Sequence, residues 1–290
     1  MPPDGCLLDQ LPARCTFPVA GTEVVCAVSG GADSLALLVL ACRAGLRVTA
    51  VHVDHGLRRG SAAEAAVVAS AAERFGAGFR SETVVVEPGS DLENRARRAR
   101  LRVLGPDAMT GHTADDQAET VLINLIRGAG LDGIAAMEPG HRHPILALRR
   151  AETEALCAEL GLVPVEDPTN RDRRFVRNRI RHEVLPLLGD ISDRDAVPLL
   201  TRSAEHARRV AADLDILAAE LDPTDCRTLS EALPSIARQA LRRWLQTATG
   251  YPPSSAELER VMAVVRGEVV ACEIEPGLRI SRSGQRLSAN

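Results

Sequence analysis

The stretch Ser29-Gly30-Gly31-Ala32-Asp33-Ser34 sets two adjacent glycines, hydroxyl groups and a carboxylate between Val24-Val25-Cys26-Ala27-Val28 and the apolar run Leu35 to Leu40. Glycines let a backbone bend tightly and come close to an anion, and the first N–H groups of a following helix point into the same space. That combination is a nest for phosphate. Asp33 would repel bare phosphate, so its presence implies Mg2+ between its carboxylate and phosphate oxygens. The plainer alternative is a strand-to-helix turn capped by Asp33 or Ser34.

Other groups of residues have the types and spacing for proton or phosphate chemistry. In Gly111-His112-Thr113-Ala114-Asp115-Asp116-Gln117-Ala118-Glu119-Thr120, His112 and Asp116 stand one helical turn apart, as do Asp115 and Glu119. Acids favour helix starts for dipole reasons, which accounts for the carboxylates but not for His112. Arg97 and Arg100 share a face of an arginine-dense segment. From Arg171 to Arg181, six arginines are interrupted by a single acid, Asp172. Arg177 and Arg181, one turn apart, can reach nucleotide phosphates or an RNA backbone together. His52 and Asp54 close a second apolar run, where they would border adenosine. Strand alternation sends His55 to the opposite face, which argues against a metal site there.

Rival phosphate loops are excluded by inspection. A Walker loop needs a lysine, and the chain contains none. A dinucleotide fingerprint needs G-x-G-x-x-G, whereas here the glycines are adjacent. Ala27-Val28-Ser29-Gly30-Gly31 differs from a nucleophile elbow only at its first position, so a serine hydrolase using Ser29 is an alternative, as is a catalytically silent RNA-binding module.

These residues need elements to hold them. Strand Arg47–His55, helix Ser61–Phe75, strand Ser81–Glu87, helix Leu92–Leu104 and a short strand Asp107–Gly111 alternate after the first strand and helix. Such alternation predicts an α/β fold, a doubly wound, mainly parallel sheet. The turn Gly128–Gly133 reads as a flexible loop beside the site, and an apolar helix should end near Pro186. Beyond Gly189 the alternation stops. Helical patterns at Asp193–Leu221, Pro234–Thr249 and Ala256–Arg266, then a hairpin turned at Glu275-Pro276-Gly277, predict a smaller, mostly helical domain, with Trp244 and Tyr251 in its core. The expected boundaries are 1–190 and 191–290.

Composition narrows the partners. A net charge of −4 gives no global basic footprint, so nucleic acid would be held by local arginine patches. Seven dispersed cysteines with no Cys-x-x-Cys argue against disulfides, zinc and iron–sulfur clusters. Neither a signal-peptide pattern nor a membrane-length apolar run is present, so a cytoplasmic enzyme with no membrane partner is expected.

The Ser29–Ser34 string resembles the pyrophosphate loop of PP-loop ATP pyrophosphatases, which have a Rossmann-like fold. Together with Val51-His52-Val53-Asp54-His55-Gly56-Leu57-Arg58, Gly111–Thr120, Arg127–Gly133, Glu166-Asp167-Pro168-Thr169-Asn170 and Arg177–Arg181, it resembles the tRNA(Ile)-lysidine synthases over roughly residues 22 to 190. Leu101, where that family has a tyrosine after Arg100, and a shorter helix before Asp107 are departures. The resemblance implies a ligase that uses ATP and Mg2+ to adenylate the wobble cytidine of an isoleucine tRNA with a CAU anticodon. L-lysine then displaces AMP. It implies Ser29, Gly30, Gly31, Ala32, Asp33, Ser34 and His52 around ATP, with the metal on Asp33. Asp33, His112, Asp116, Arg97 and Arg177 would be catalytic, and Asp115, Glu119, Arg100 and Arg181 would touch lysine or tRNA. A homodimer is compatible with this reading. Iron–sulfur tRNA thiolases share the loop but need Cys-x-x-Cys pairs.

Overall fold

The computed structural model describes residues 6–54, 61–84, 102–165, 170, 172–275 and 277–290. Contacts divide the chain into two compact units, 1–204 and 205–290. Arg97, Arg100, Leu101, His55–Arg58, Glu166–Thr169 and Arg171 lie outside the described residues.

The first unit starts with helical turn α1 (Leu7–Gln10), then runs β1 (Glu23–Ala27), α2 (Ala32–Arg43), β2 (Arg47–Asp54), α3 (Ser61–Arg74), β3 (Gly78–Thr83) and β4 (Met109–Thr110). It continues through α4 (Ala114–Ile126), α5 (Leu131–Ile134), α6 (Arg150–Glu159), α7 (Val176–Arg179), a π-turn at Ile180–Val184 and α8 (Leu185–Ser192). Helix α9 (Ala196–Ala218) contains the division between units.

The strands lie in the order β3-β2-β1-β4, all parallel, with Ala27 opposite Val51 on one side and Thr110 on the other. β1 connects onward to its neighbour β2 on one side, while β4 lies on its other side. Loops leaving the carboxyl ends of β1 and β4 therefore diverge and leave a crevice, the usual ligand position of such sheets. Helix α2 is apolar all round, and Leu35 to Ala41 are all buried against the sheet and α6. A helix with no polar face must be covered on every side. Leu35, Leu37, Leu38, Val48, Met109, Ile145, Leu148 and Leu156 form the main core. That core fixes the first turn of α2, where Asp33 and Ser34 sit.

Three local expectations are corrected. The third strand begins at Gly78 rather than Ser81, because its register with β2 starts with Thr49 opposite Gly78, and it is described to Thr83; residues 85–87 of the expected strand lie outside the described residues. The fourth strand is two residues long: Gly111 leaves the sheet to pass against the backbone of Asp33 and Ser34. The helix at Arg177–Arg181 does not end at Pro186. It continues as α8 to Ser192, with Pro186 in the first turn after the π-turn.

The expected loop Gly128–Gly133 is partly helical, and Asn124 Nδ2 donates to the Gly133 carbonyl at 2.6 Å.

The second unit contains α10 (Cys226–Glu231), α11 (Pro234–Thr249), α12 (Ser255–Arg266), β5 (Ala271–Glu275), β6 (Leu278–Ser283) and β7 (Arg286–Ala289). In place of a single hairpin, the strands form an antiparallel sheet β5-β6-β7. Leu229, Leu241, Leu245, Leu258, Val261, Val264 and Ile280 fill its core, and Trp244 packs partly against them. Tyr251 is exposed, contrary to its expected core position. All seven cysteines are free, and no described helix is long and apolar enough to cross a membrane.

Candidate active site

The loop after β1 is shaped by two glycines. Gly30 has φ +92°, and its carbonyl accepts from Val165 N–H at 2.9 Å. A side chain there would be strained and would also press on Val165. Gly111 makes the second close approach: a Cβ would lie 2.7 Å from the Asp33 carbonyl oxygen. Only a glycine lets the β4–α4 loop touch the β1–α2 loop, which brings His112 and Asp116 to the same cleft as Asp33.

Ser34 Oγ accepts from Ser29 N–H at 3.2 Å and donates to the Gly31 carbonyl at 2.9 Å. Neither Ser34 nor Asp33 caps α2, whose N-terminus has no side-chain cap. The first N–H groups of that helix keep the anion-facing character expected of an uncapped end. Ser29 Oγ pairs with Ser34 Oγ at 3.3 Å, and His52 directs Nδ1 to the Val28 carbonyl at 3.1 Å. Among the described residues no Ser-His-Asp relay is assembled on Ser29.

The cleft has a volume of about 930 Å3, and Ser29, Gly31, Ala32, Asp33, Ser34, His52, His112, Asp116, Arg150 and Arg181 are among its walls. His52 is buried. Its Nδ1 faces the Val28 carbonyl, and its Nε2 has no hydrogen-bond partner in the structure. His112 Nδ1 lies 2.7 Å from Thr110 Oγ1, which also meets His143 Nδ1 at 2.7 Å. The two imidazoles pack edge to face with centroids 5.0 Å apart.

Behind the cleft lies a network of carboxylates and guanidinium groups. Asp116 ties off the start of α4 by accepting from Thr113 N–H at 2.9 Å. Glu119 has no exposed side-chain surface, and it is met by Arg177 Nε at 2.7 Å, Arg181 Nε at 2.6 Å and Arg150 Nη1 at 3.3 Å. Asp115 accepts from Arg149 Nε at 3.1 Å and from the Arg150 backbone N–H at 2.8 Å. Asp33 accepts from Thr153 Oγ1 and, at 3.3 Å, from Arg150 Nε.

Environment drives these carboxylates in opposite directions. Burial pushes the Asp33 carboxyl up to about 6, against the pull of Thr153 and Arg150. Burial acts on Asp116 too, but the charges of Arg150 and Arg177 and the Thr113 N–H outweigh it and hold its carboxyl low. Asp115 is likewise held low, because its bonds to Arg149 and the Arg150 N–H exceed the cost of burial.

The structure thus gathers Asp33, His112, Asp116, Glu119, Arg177 and Arg181 in one region, with Asp115 at its edge. Asp115, Glu119 and Arg177 stand behind the cleft and do not line it. The arginine stretch divides. Arg173 and Arg179 pair with Glu183 and Arg174 with Asp172 at the surface, while Arg177 and Arg181 turn inward. Sequence reasoning did not single out Arg150, Arg149, Thr153 or His143. Arg149 and Arg150 open α6 as an adjacent pair, with no periodic or motif signal to distinguish them from a solvated helix start.

A divalent cation fits Asp33 in a limited way. No group of three or more His, Cys, Asp or Glu side chains among the described residues forms a metal cage. Mg2+ commonly takes one or two carboxylates and completes its shell with phosphate oxygens and water, and a hard carboxylate at the mouth of an anion loop suits that pattern.

Comparison with known proteins yields two family matches: a PP-loop domain over residues 9–188 and a TilS substrate binding domain over residues 225–287. A tRNA(Ile)-lysidine synthase of Nocardia farcinica is 42% identical over 293 residues, covering 93% of this chain and 92% of that protein. One from Mycobacterium leprae is 40% identical, covering 91% and 87%. Among solved structures, the U34-tRNA thiolase NcsA of Methanococcus maripaludis, with its 4Fe–4S cluster, superposes with a TM-score of 0.54 at 16% identity, over 69% of this chain and 78% of that one. The last likeness concerns the fold alone.

Proposed function

The chain belongs to the tRNA(Ile)-lysidine synthase family of PP-loop ligases, and from that premise we propose that it adenylates the wobble cytidine of a CAU-anticodon isoleucine tRNA and joins L-lysine to it. ATP-dependent ligation on tRNA is the activity of the family. The observation that carries the finer reading is the meeting of the uncapped Ser29–Ser34 loop, Asp33 and His112-Asp116 in one cleft beside an arginine network.

Cytosine C2 is a poor electrophile because its oxygen is a poor leaving group. Attack of that oxygen on the α-phosphorus of ATP forms an O–P bond and expels pyrophosphate. The amine of lysine then forms a bond to C2, and the C2–O bond breaks with AMP leaving. In this proposal the Ser29–Ser34 backbone cradles the departing pyrophosphate, and Arg181 at the cleft wall offsets developing charge, with Arg177 adding to the positive field from behind it. Mg2+, when bound, would neutralise phosphate charge, with Asp33 as its protein ligand. His52 Nε2 accepts from the adenosine.

Lysine arrives as an ammonium and must lose a proton to attack. His112, at the cleft wall, takes that proton, and the Asp116 carboxylate favours the resulting imidazolium. Asp115 and Glu119 are given positioning roles, holding Arg149, Arg150, Arg177 and Arg181, since their oxygens are already engaged by guanidinium groups. Arg97 and Arg100 remain proposed partners of ATP and tRNA. Residues 1–190 would carry catalysis and 191–290 would hold tRNA, in a cytoplasmic enzyme compatible with a homodimer.

The test is product analysis with ATP, CAU-anticodon tRNA and each amino acid in turn. AMP and pyrophosphate, with a mass gain on tRNA that depends on lysine, are expected. Formation of ADP and phosphate, or a gain with another amino acid in preference to lysine, would overturn the assignment.

A further inference from the structure

Arg150 is the hub of the network. Its Nε lies 3.3 Å from Asp33 Oδ2, its Nη2 lies 3.1 Å from Asp116 Oδ1 and its Nη1 lies 3.3 Å from Glu119 Oε1. One guanidinium therefore touches three carboxylates contributed by α2 and α4. The dependence of these acids on Arg150 is unequal. Glu119 also holds Arg177 and Arg181, and Asp116 also holds the backbone and hydroxyl of Thr113. Asp33 has the neutral Thr153 hydroxyl as its other side-chain partner. Arg150 supplies its positive charge.

A guanidinium in contact with Asp33 and a divalent cation on the same carboxylate repel each other strongly in a partly buried site. Both can remain only if an anion joins them, and Arg150 lines the same cleft as the Ser29–Ser34 loop. Polyphosphate oxygens would supply that anion and give the guanidinium a bidentate partner. We propose that Arg150 is a built-in counter-ion that occupies Asp33 in the nucleotide-free protein, so that a divalent cation reaches Asp33 only together with a nucleoside triphosphate. Arg150 then exchanges carboxylate for phosphate, and it enforces entry of metal and nucleotide as one complex. This rests on the reading of the cleft as a Mg–ATP site.

The experiment is titration of the full chain with Mn2+, followed by the electron paramagnetic resonance of the free ion, with and without a nucleotide analogue that cannot be cleaved between its α and β phosphates. Wild type should bind Mn2+ weakly alone and tightly with the analogue. Arg150→Gln should tighten Mn2+ binding in the absence of nucleotide by about tenfold or more. Adding Asp33→Asn should abolish the gain, and Thr153→Val, which leaves the charge in place, should not reproduce it. If circular dichroism shows that Arg150→Gln is unfolded, Arg150→Met decides: it keeps the length of the stem without the charge and should tighten Mn2+ binding likewise. Unchanged or weaker Mn2+ affinity in the folded Arg150 variant, with normal analogue binding, overturns the counter-ion role alone. A wild type that binds neither the analogue nor Mn2+ with it overturns the Mg–ATP reading and this inference together.

Discussion

Residues 6–204 and 205–290 handle charge in different ways. Among the described residues, the buried polar side chains Ser34, His52, Thr113, Asp116, Gln117, Glu119 and Thr153 all belong to the first unit. In the second, the core is aliphatic, and the pairs Arg227–Glu231, Arg238–Glu259 and Arg286–Asp222 stay in solvent. Buried charge is costly unless paired, and one guanidinium or carboxylate removed leaves its partner stranded. The contrast teaches where chemistry resides: a fold tolerates this expense where reacting charges must be held without reorganisation. Surface pairs contribute little to stability and are screened by salt.

The largest test of that contrast is catalytic. Asp33→Ala should lower AMP formation by about a thousandfold, comparable to removing a group that meets transition-state charge, while tRNA binding by filter assay is retained. Arg286→Ala, in the second unit, should leave AMP formation unchanged. Equal loss in both variants would erase the distinction between the units.

A second test addresses packing. Leu241 is fully buried, so Leu241→Ala should cost about 3 kcal/mol in urea unfolding monitored by the fluorescence of Trp244. A cost below about 1 kcal/mol would mean that this core is loosely formed.

Two aspartates sharpen the comparison through pH. The folded protein keeps the Asp33 proton up to about pH 6, whereas an unfolded aspartate releases it near pH 3.9, so stability falls as pH rises between those values. Asp33→Asn removes that cost and should raise stability by about 2 kcal/mol at pH 7.5 with little effect at pH 3.5. Thermal unfolding at both pH values reads it, and equal shifts would exclude the burial explanation.

Asp222 runs the other way. The Thr224 hydroxyl, Arg286 and the Thr224 N–H bring its carboxyl down to about 2, so its contribution is present above the unfolded value and fades as pH falls towards 2. Because the pair is exposed and screened, Asp222→Asn should cost less than about 1 kcal/mol at pH 7, and 1 M salt should shrink the difference.

The sequence by itself determined the parts governed by local geometry. Adjacent Gly30 and Gly31 between a β-branched run and an apolar helix specify the anion loop, since backbone freedom and helix N–H groups act within a few residues. Alternating strand and helix patterns specify the parallel sheet, and with it a crevice at the carboxyl ends of its strands. Spacing also put Asp115 and Asp116 in the first turn of α4, whereas His112 stands before its extended N-cap Thr113 and meets Asp116 only at the cleft. Only the tertiary structure decided which charges meet. Arg177 reaches Glu119 across 58 residues and Arg150 reaches Asp33 across 117. No periodicity records such distances. A long arginine side chain has the same local pattern whether it faces solvent, as Arg173 and Arg174 do, or closes on a buried carboxylate. The choice is made by the packing that brings α4, α6 and α7 together, because a buried carboxylate is stable only where a cation already stands.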